Sequence, residues 1–346
     1  MKTKIFVLFA VFGLMLNLVG TTFADNSKKK KGNELVALLP ASDGVIAMDS
    51  KRFFASALPQ ILSGNKEMLD EVNAKMDEFK TATGIDIRQF DQTAIGVSAK
   101  EISPSNTDFE AVVLARGKFD ANSLAGLVKF ASEGKYREEK IGNRTIYIFS
   151  PKEIIEKNKT AVKNPMLQKV MNMIFPAISG EMAITAYDAK TLAFGTPDRV
   201  RLTINNDRPG IDADLMIMVS KNPSAVGSFA LNMPKGAAGF LELGDDELGQ
   251  NIASVRQMFG FMNVVGEDTV VSVTAKTLKA ENAESLKNSM TALQSVFGDV
   301  LGGSKRDDQK VYGRMLKNAK FSSNANQVTL DLQVPQSDIN ILIGAK

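Results

Sequence analysis

Apolar positions along this chain recur in two periods, and the two periods predict an alternation of strands and helices. Residues 44–50, 93–99 and 109–117 are short apolar runs, which are typical of strands. Between the first two runs, apolar residues recur at helical spacing over residues 66–83, and Gly84 follows as a residue that commonly ends helices. The pattern therefore predicts strand, helix and strand in that order.

The middle of the chain predicts two hairpins around a helical insert. Residues 136–150 and 182–195 each have the pattern of two strands joined by a tight turn. Between them, residues 152–178 predict a helical insert. Thr196 and Pro197 then suit the N-cap and the first position of another helix.

The second half of the chain repeats this order of predicted elements at three places. We interpret the similarity as a diverged tandem duplication, in which deletions separate the two copies. The alternative is two unrelated segments that share common strand and helix signals. The matching segments are 44–50 with 214–220 as strands, 109–130 with 268–290 as a strand and a helix, and 191–204 with 329–343.

This alternation of strands, single helices and hairpins is typical of an α+β fold with mainly antiparallel sheets. We expect two diverged repeats, each an antiparallel sheet packed with helices, over residues 35–208 (with the insert) and 209–346. In the second repeat, a helix is expected to include residues 251–261, with Asp245 or Asp246 as its N-cap.

The N-terminal segment predicts export. Residues 1–24 combine two early lysines, an apolar run over 5–19 and small residues before a cleavage point after Ala24. The run is short for a membrane span, which needs roughly 20 apolar residues. A charged, disordered leader is expected over residues 25–34. Its four lysines at 28–31 keep an uncleaved anchor open as the alternative. We expect a periplasmic or extracellular protein with no membrane span after cleavage.

Composition excludes several kinds of chemistry. The chain has no cysteine and no histidine, which excludes disulfides, a lipidated N-terminal cysteine, Ser-His-Asp triads and His-ligated zinc. Carboxylate chemistry remains possible, as in glycosidases. With 42 basic and 39 acidic residues, the chain has no broad basic surface of the kind that binds nucleic acid.

Two sequence motifs that suggest ligands fail on spacing. Residues 298–305 are rich in glycine, but Ser304 precedes Lys305, whereas a phosphate loop needs Gly-Lys-Ser/Thr. The acidic clusters at 245–247 and 307–308 lack the alternating oxygen ligands of a calcium loop. We therefore expect no metal and no cofactor.

The best candidate for a binding surface is a methionine-rich stretch of the insert. Its apolar residues cover more than one face of the predicted helix, which suits a lid or a docking helix, and methionine adapts to varied apolar partners. Core packing is the plainer interpretation. A second methionine-rich stretch, residues 251–265, is less favoured. The candidate surface for an apolar ligand or partner comprises Met166, Val170, Met171, Met173, Ile174 and Phe175.

Three segments resemble one group of exported bacterial proteins that is known only as a domain of unknown function. They are the Leu-Pro opening at 37–49, the Thr-Gly-Ile-Asp helix exit within 83–98, and the Gly-Thr-Pro turn within 188–204. The resemblance covers residues 36–204, with a fainter likeness to residue 343. It implies structural motifs only, with no activity and no site residues.

Together these observations predict an exported, non-catalytic protein that binds another protein or the envelope. The alternative is a carrier or sensor of an apolar ligand held between the two repeats. A third hypothesis is a carboxylate-dependent hydrolase, which needs two facing carboxylates roughly 5–10 Å apart.

Overall fold

Twelve strands form the framework of the described part of the chain. The computed structural model describes residues 33–103, 106–152, 180–205, 208–233 and 247–344. In chain order the strands are β1 (Gly44–Met48), β2 (Phe90–Ser103), β3 (Asn106–Gly117), β4 (Tyr136–Ile141), β5 (Arg144–Phe149), β6 (Met182–Asp188), β7 (Thr191–Gly195), β8 (Gly227–Asn232), β9 (Val255–Val265), β10 (Asp268–Thr277), β11 (Lys320–Asn324) and β12 (Gln327–Pro335).

Helices precede, connect and follow these strands. A π-helical turn, Phe53–Ala57, joins α2 to α3, and a 3₁₀ turn, Ile87–Gln89, leads into β2. The helices are α1 (Asn33–Val36), α2 (Ser50–Arg52), α3 (Leu58–Ile61), α4 (Lys66–Thr83), α5 (Ala121–Gly126), α6 (Val128–Ala131), α7 (Pro197–Ile204), α8 (Ala213–Val219), α9 (Glu247–Ala253), α10 (Ala280–Gly302), α11 (Asp307–Asn318) and α12 (Gln336–Leu342).

The strands form one continuous sheet in the order β11-β12-β10-β9-β8-β1-β2-β3-β7-β6-β5-β4. Every pair of neighbours is antiparallel, so the predicted α+β class is confirmed. Instead of two separate sheets, the pairing of β1 with β8 joins two arms, with Ile46 opposite Phe229.

The two arms share an order of strands outward from this central pair. The first arm continues as β1-β2-β3-β7-β6 and the second as β8-β9-β10-β12-β11. The first arm also has the β5–β4 hairpin at its outer edge. This order agrees with what a duplication would produce, but the duplication itself stays a prediction.

The helices cover the two faces of the sheet differently. On the first face, here face A, α1, α7 and α8 pack over the centre and the first arm, and Val200 of α7 shares a buried cluster with Leu114 of β3. On the other face, face B, Ile339 of α12 shares a cluster with Val271 of β10. The helices that follow β7 and β12 therefore pack on opposite faces, and the two arms differ in this respect.

Helix α4 braces both arms on face B. It begins beside the second arm, where the side chain of its N-cap Asn65 accepts from Met68 N (2.9 Å) and donates to Ile343 O (2.7 Å). It ends beside α6 of the first arm, because a Cβ on Gly84 would lie 2.4 Å from Leu127. Gly84 adopts φ 74°, so the predicted C-cap is confirmed.

The prediction of a strand over residues 214–220 is wrong, because this segment lies in α8. Asp212 caps the helix by accepting from Asp214 N (2.7 Å). Leu215, Met218 and Val219 are buried at helical spacing. Asp212 provided an N-cap signal in the sequence, and a run of apolar residues next to it suits a short buried helix as well as a strand.

The prediction of a helix over residues 251–261 is also wrong. Helix α9 ends at Ala253, and β9 begins at Val255. Phe259 is buried on face A and Met262 on face B, so this central strand is apolar on both sides. A strand buried on both faces loses the alternation that distinguishes it from a helix. The two residues predicted as alternative N-caps of this helix, Asp245 and Asp246, lie outside the described residues.

The predicted signal peptide, its cleavage after Ala24 and most of the charged leader also lie outside the described residues, so they stay predictions. Across the described ranges, no helix combines the length and apolar character needed to cross a bilayer.

Candidate functional site

The insert predicted to carry the binding surface lies outside the described part of the chain, with Met166, Val170, Met171, Met173, Ile174 and Phe175 among its residues. The described residues on either side of it are informative. Phe149 at the end of β5 is the cross-strand partner of Met182 at the start of β6. The chain therefore leaves the sheet and returns to it at one end, the end at which β1 begins, here the lower end.

An apolar area lies on face B where the two arms meet. Ile46 of β1 lies opposite both Phe229 of β8 and Ile95 of β2. Ile95 in turn lies opposite Val113 of β3. One row toward the lower end, Leu231 and Val97 lie on either side of Gly44. We call six residues the junction surface: Ile46, Ile95, Val97, Val113, Phe229 and Leu231.

The junction surface is apolar but only partly covered. Phe229 and Val97 are 3% and 6% exposed, and the other four side chains are half-buried. Within the described ranges, none of the six belongs to the four buried clusters of the fold. Their side chains carry no polar atom, so this surface offers a ligand neither charge nor a hydrogen bond.

Two glycines shape this surface. A Cβ on Gly260 would lie 2.6 Å from the ring of Phe229, so that ring lies over the glycine backbone. A Cβ on Gly44 would meet the Leu231 Cβ at 3.5 Å and the Ala230 carbonyl oxygen at 3.8 Å, both ordinary contacts, with no closer neighbour among the described residues. The surface therefore has a depression at Gly44, between Leu231 and Val97.

Helices border the junction surface on three sides. Helix α4 passes from one arm to the other, and Met76 in its middle is buried. On the first arm, α5 and α6 pack over β3 and β7, with Ala125 and Val128 in a cluster with Leu192. On the second arm, α10 packs over β9 and β12, with Leu286 in a cluster with Val255. At the lower end, where Gly44 lies, β1 begins, β8 ends and β9 begins.

Two of the resembling segments meet at this lower end, on face A. Arg199 is 5% exposed, and its Nη2 donates to Ala41 O (2.8 Å) and Ser42 Oγ (2.6 Å). Burial lowers the pKa of Arg199, while the charges of Glu110 and Asp43 act to raise it. The guanidinium therefore ties the Gly-Thr-Pro turn to the Leu-Pro opening.

A second arginine strengthens this attachment. Arg208 donates to Leu39 O (3.0 Å), to Thr203 O (3.0 Å) and to Leu38 O. Burial also lowers the pKa of Arg208, and a hydrogen bond with Tyr187 opposes that shift. Both arginines thus bind backbone oxygens of the segment before β1, which is a structural role.

The third resembling segment is structural as well. Asp86 accepts from Arg88 Nε (2.8 Å) and from Arg88 N (3.1 Å), capping the 3₁₀ turn. The Arg88 side-chain hydrogen bond is the main cause that lowers the pKa of Asp86 to about 2. Arg88 also donates to Asp77 Oδ1 (2.6 Å), which links the turn back to α4.

The clear pKa shifts of the described carboxyl groups all have the same direction. A glycosidase acid needs a raised pKa. Each described carboxyl group with a clear shift has a lowered pKa, because neighbouring donors bind its ionised form. Over the same ranges, no group of three acidic side chains could hold a metal ion. The shifted carboxyl groups are Asp86, Asp120, Glu139, Glu284 and Asp308.

A second apolar surface, which the sequence patterns did not single out, lies on α10. Val296, Phe297 and Val300 are 60%, 50% and 66% exposed on one side of this helix. The other side packs closely on α11, since a Cβ on Gly313 would lie 2.6 Å from Gly302 N. We call Val296, Phe297 and Val300 the α10 strip. Its members are near neighbours on the helix surface, which is a signal that the sequence does contain.

The junction surface was not predicted: the apolar runs predicted β1, β2 and β3, but β8 was not predicted. Its residues come from four strands that are far apart in the sequence, and only the pairing of β1 with β8 brings them together. The signal that the sequence contains for this surface is a set of short apolar segments that begin with glycine or have one within them.

The fold defines an α+β protein, whose described residues form an antiparallel sheet of twelve strands. No family model matches this chain, and no curated protein matches it in sequence. Crystal form III of TP0453 is similar in structure, with a TM-score of 0.45 and 8% identity over 92% of this chain and 100% of that one. Crystal form IV has a TM-score of 0.44 and 8% identity, over 89% and 95% of the two chains.

Proposed function

We propose that this protein is an exported, non-catalytic binding protein whose ligand is an apolar molecule held on the junction surface between the two arms. The observation that carries the proposal is the uncharged, partly exposed surface with a depression at Gly44. The hypothesis of a carrier or sensor of an apolar ligand describes this function better than protein binding alone.

The contrast with another part of the sheet supports this choice. On face A of the second arm, Ser272 and its cross-strand partner Asp331 are polar, as is Gln333 two residues further along β12. The junction surface also retains exposure, yet its rows are apolar across four strands. Contiguous apolar surface that remains accessible commonly marks a binding site.

A filling substitution tests the proposal. Gly44→Phe would place a ring in the depression, and its Cβ makes only ordinary contacts with Leu231 and Ala230. Ser272→Phe is the matched control, because it places the same ring on the opposite face of the sheet. We expect N-phenylnaphthylamine, a neutral fluorescent probe, to bind mature wild-type protein at one saturable site. Gly44→Phe should weaken that binding at least about tenfold, and the control should not.

Both variants must first melt cooperatively, as the wild type should, so that unfolded protein is not mistaken for lost binding. Failure of the wild type to bind the neutral probe would contradict the proposal. Equal binding by the two phenylalanine variants would exclude the junction surface as the site.

Export is a separate part of the proposal. The sequence supports cleavage after Ala24, and the mature chain would then begin at Asp25. N-terminal sequencing of the protein recovered from its cell envelope or medium tests this directly. A chain that begins at Met1 and stays in the membrane fraction would favour the uncleaved anchor.

We also propose protein docking through the α10 strip as a second function. Three large apolar side chains exposed by half or more on one helix support it. In a pulldown from the envelope fraction, Val296→Ser with Val300→Ser should lose a partner that the wild type retains. Leu278→Ser removes an apolar side chain that is 57% exposed elsewhere and serves as the control. A partner retained by all variants would exclude the strip.

The tandem duplication remains our proposal for the origin of the two arms. Their common strand order supports it, and so does the position of residues 191–204 and 329–343, each of which spans an inner strand and the helix that follows. A profile built from homologues of one half should detect the other half at these segments. Detection at unrelated positions would contradict the duplication.

A further inference from the structure

Three methionines continue the junction surface on the side of the second arm. Met233 follows β8, Met258 lies in β9, and Met290 lies in α10. All three are half-buried and pack against one cluster that includes Val255 and Leu286. We call Met233, Met258 and Met290 the methionine wall.

The methionine wall and the junction surface are contiguous. Met258 is the cross-strand partner of Leu231, and Met233 N donates to the backbone oxygen of Arg256 (2.8 Å), two residues before Met258. The surface is also long. Along β2 and β3, the pairs Val97–Ala111 and Ala99–Phe109 follow Ile95–Val113 toward the lower end. From Ile95 to Ala99 this apolar track measures about 14 Å at the usual strand rise.

We infer that the ligand is a flexible hydrocarbon chain rather than a rigid ring system, an inference that rests on the proposed function. The track is elongated, uncharged and twisted with the sheet, so a chain that bends can follow it. Methionine has an unbranched, adaptable side chain, so a methionine wall adjusts to chains of different shape. The six residues of the junction surface have no polar side-chain atom, so a polar end of the ligand would find no partner on that surface.

Competition with three neutral lipids tests the inference. The mature protein, loaded with N-phenylnaphthylamine, is titrated with stearyl alcohol, oleyl alcohol or cholesterol. The first two are chains of equal length, one straight and one bent, and the third is a rigid ring system. We expect the two chains to displace the probe within about threefold of each other, and cholesterol to be at least about tenfold weaker.

A triple variant tests the role of the methionine wall. Met233→Leu, Met258→Leu and Met290→Leu together keep an apolar wall but make it branched and stiffer. We expect the ratio between the affinities for the two chains to rise to about tenfold. As the control, Met68→Leu, Met262→Leu and Met315→Leu alter three buried methionines of the cluster around Val271, and the ratio should stay near one.

The outcomes separate the two proposals. If the probe fails to bind the wild type, the proposed function fails and the inference fails with it. If the probe binds but cholesterol competes as well as the chains, only the inference is overturned. An unchanged ratio in the methionine-wall variant overturns the role of that wall, and the lipid comparison on the wild type stands even if the variant does not fold.

Discussion

Replacing Thr269 by valine should stabilise this protein. Thr269 lies in β10 with its side chain fully buried, and its cross-strand partners are Val264 and Val334. Among the described residues, its hydroxyl has no hydrogen-bond partner. Valine has nearly the same shape, so Thr269→Val replaces an unpaired hydroxyl by a methyl group among apolar neighbours.

The expected gain follows from the cost of an unpaired polar group. A buried donor or acceptor without a partner costs about 1–3 kcal/mol. The surrounding side chains must adapt to a methyl group, which returns part of that gain. We therefore expect the free energy of unfolding to rise by about 1 kcal/mol. In a protein of this size, that change corresponds to a melting temperature roughly 2 °C higher.

Thr274→Val is a matched control on the same strand. Thr274 is also buried, on the opposite face, but its hydroxyl lies 3.0 Å from the hydroxyl of Thr329. Loss of that hydrogen bond should lower the free energy of unfolding by about 0.5–1.5 kcal/mol. The two substitutions remove the same atom and are expected to have opposite signs.

Urea unfolding followed by circular dichroism measures both changes at equilibrium, provided that the slopes of the transitions match the wild type. A Thr269→Val variant that loses as much stability as Thr274→Val would refute the reasoning. It would mean that the Thr269 hydroxyl has a favourable interaction in the folded protein.

Three other predictions concern the arginine attachment, the acid limb and close backbone contact. Arg199→Met should lower the free energy of unfolding, measured by urea unfolding, by about 2–4 kcal/mol, because it removes a charged donor that binds the loop before β1. A variant as stable as the wild type would exclude that role for Arg199. Asp86→Asn should lower the free energy of unfolding by about 1–2 kcal/mol at neutral pH, because Arg88 holds the pKa of Asp86 at about 2, below its unfolded value of 3.8. The folded pKa is the lower one, so this contribution to stability is present above the unfolded value and is lost as the pH falls toward 2. Urea unfolding at several pH values should therefore show that the variant loses less stability than the wild type between neutral and acidic pH. An equal loss in both proteins would contradict the role given to Asp86. Gly195→Ala should lower the free energy of unfolding by at least about 3 kcal/mol, because its Cβ would lie 2.2 Å from a backbone oxygen of β3. Gly126→Ala has open space around its Cβ among the described residues and should raise the free energy of unfolding by about 0.5 kcal/mol. Similar melting temperatures for the two alanine variants would contradict the steric argument.

Local patterns were sufficient where one signal dominated. The long helix was predicted because its apolar residues recur at helical spacing and Gly84 ends it. Both hairpins around the insert were predicted from alternation and turn residues, and they form β4–β5 and β6–β7. Asp120 caps α5 by accepting from Asn122 N (3.2 Å), which agrees with its type and position in the sequence.

Local patterns failed where burial on two sides removed the alternation. The segment at 255–261 was predicted to be part of a helix, because apolar residues fill both faces of a central strand. The segment at 214–220 was predicted to be a strand, because a short helix buried on the sheet has a similar apolar run. In both cases the neighbouring strands decide the outcome, and they are distant in the sequence.

The sequence by itself determined the α+β class, the antiparallel character of the sheet, the helix ends at Gly84 and Thr196, and the absence of cysteine and histidine chemistry. These properties depend on short-range periodicity, capping residues and composition, all of which can be read within a few turns of chain. Only the tertiary structure decided that one sheet joins both arms, that α7 and α12 pack on opposite faces, and that Ile46, Phe229 and Met258 lie close together. Those outcomes depend on pairing between strands separated by more than a hundred residues, for which a single sequence contains no local signal.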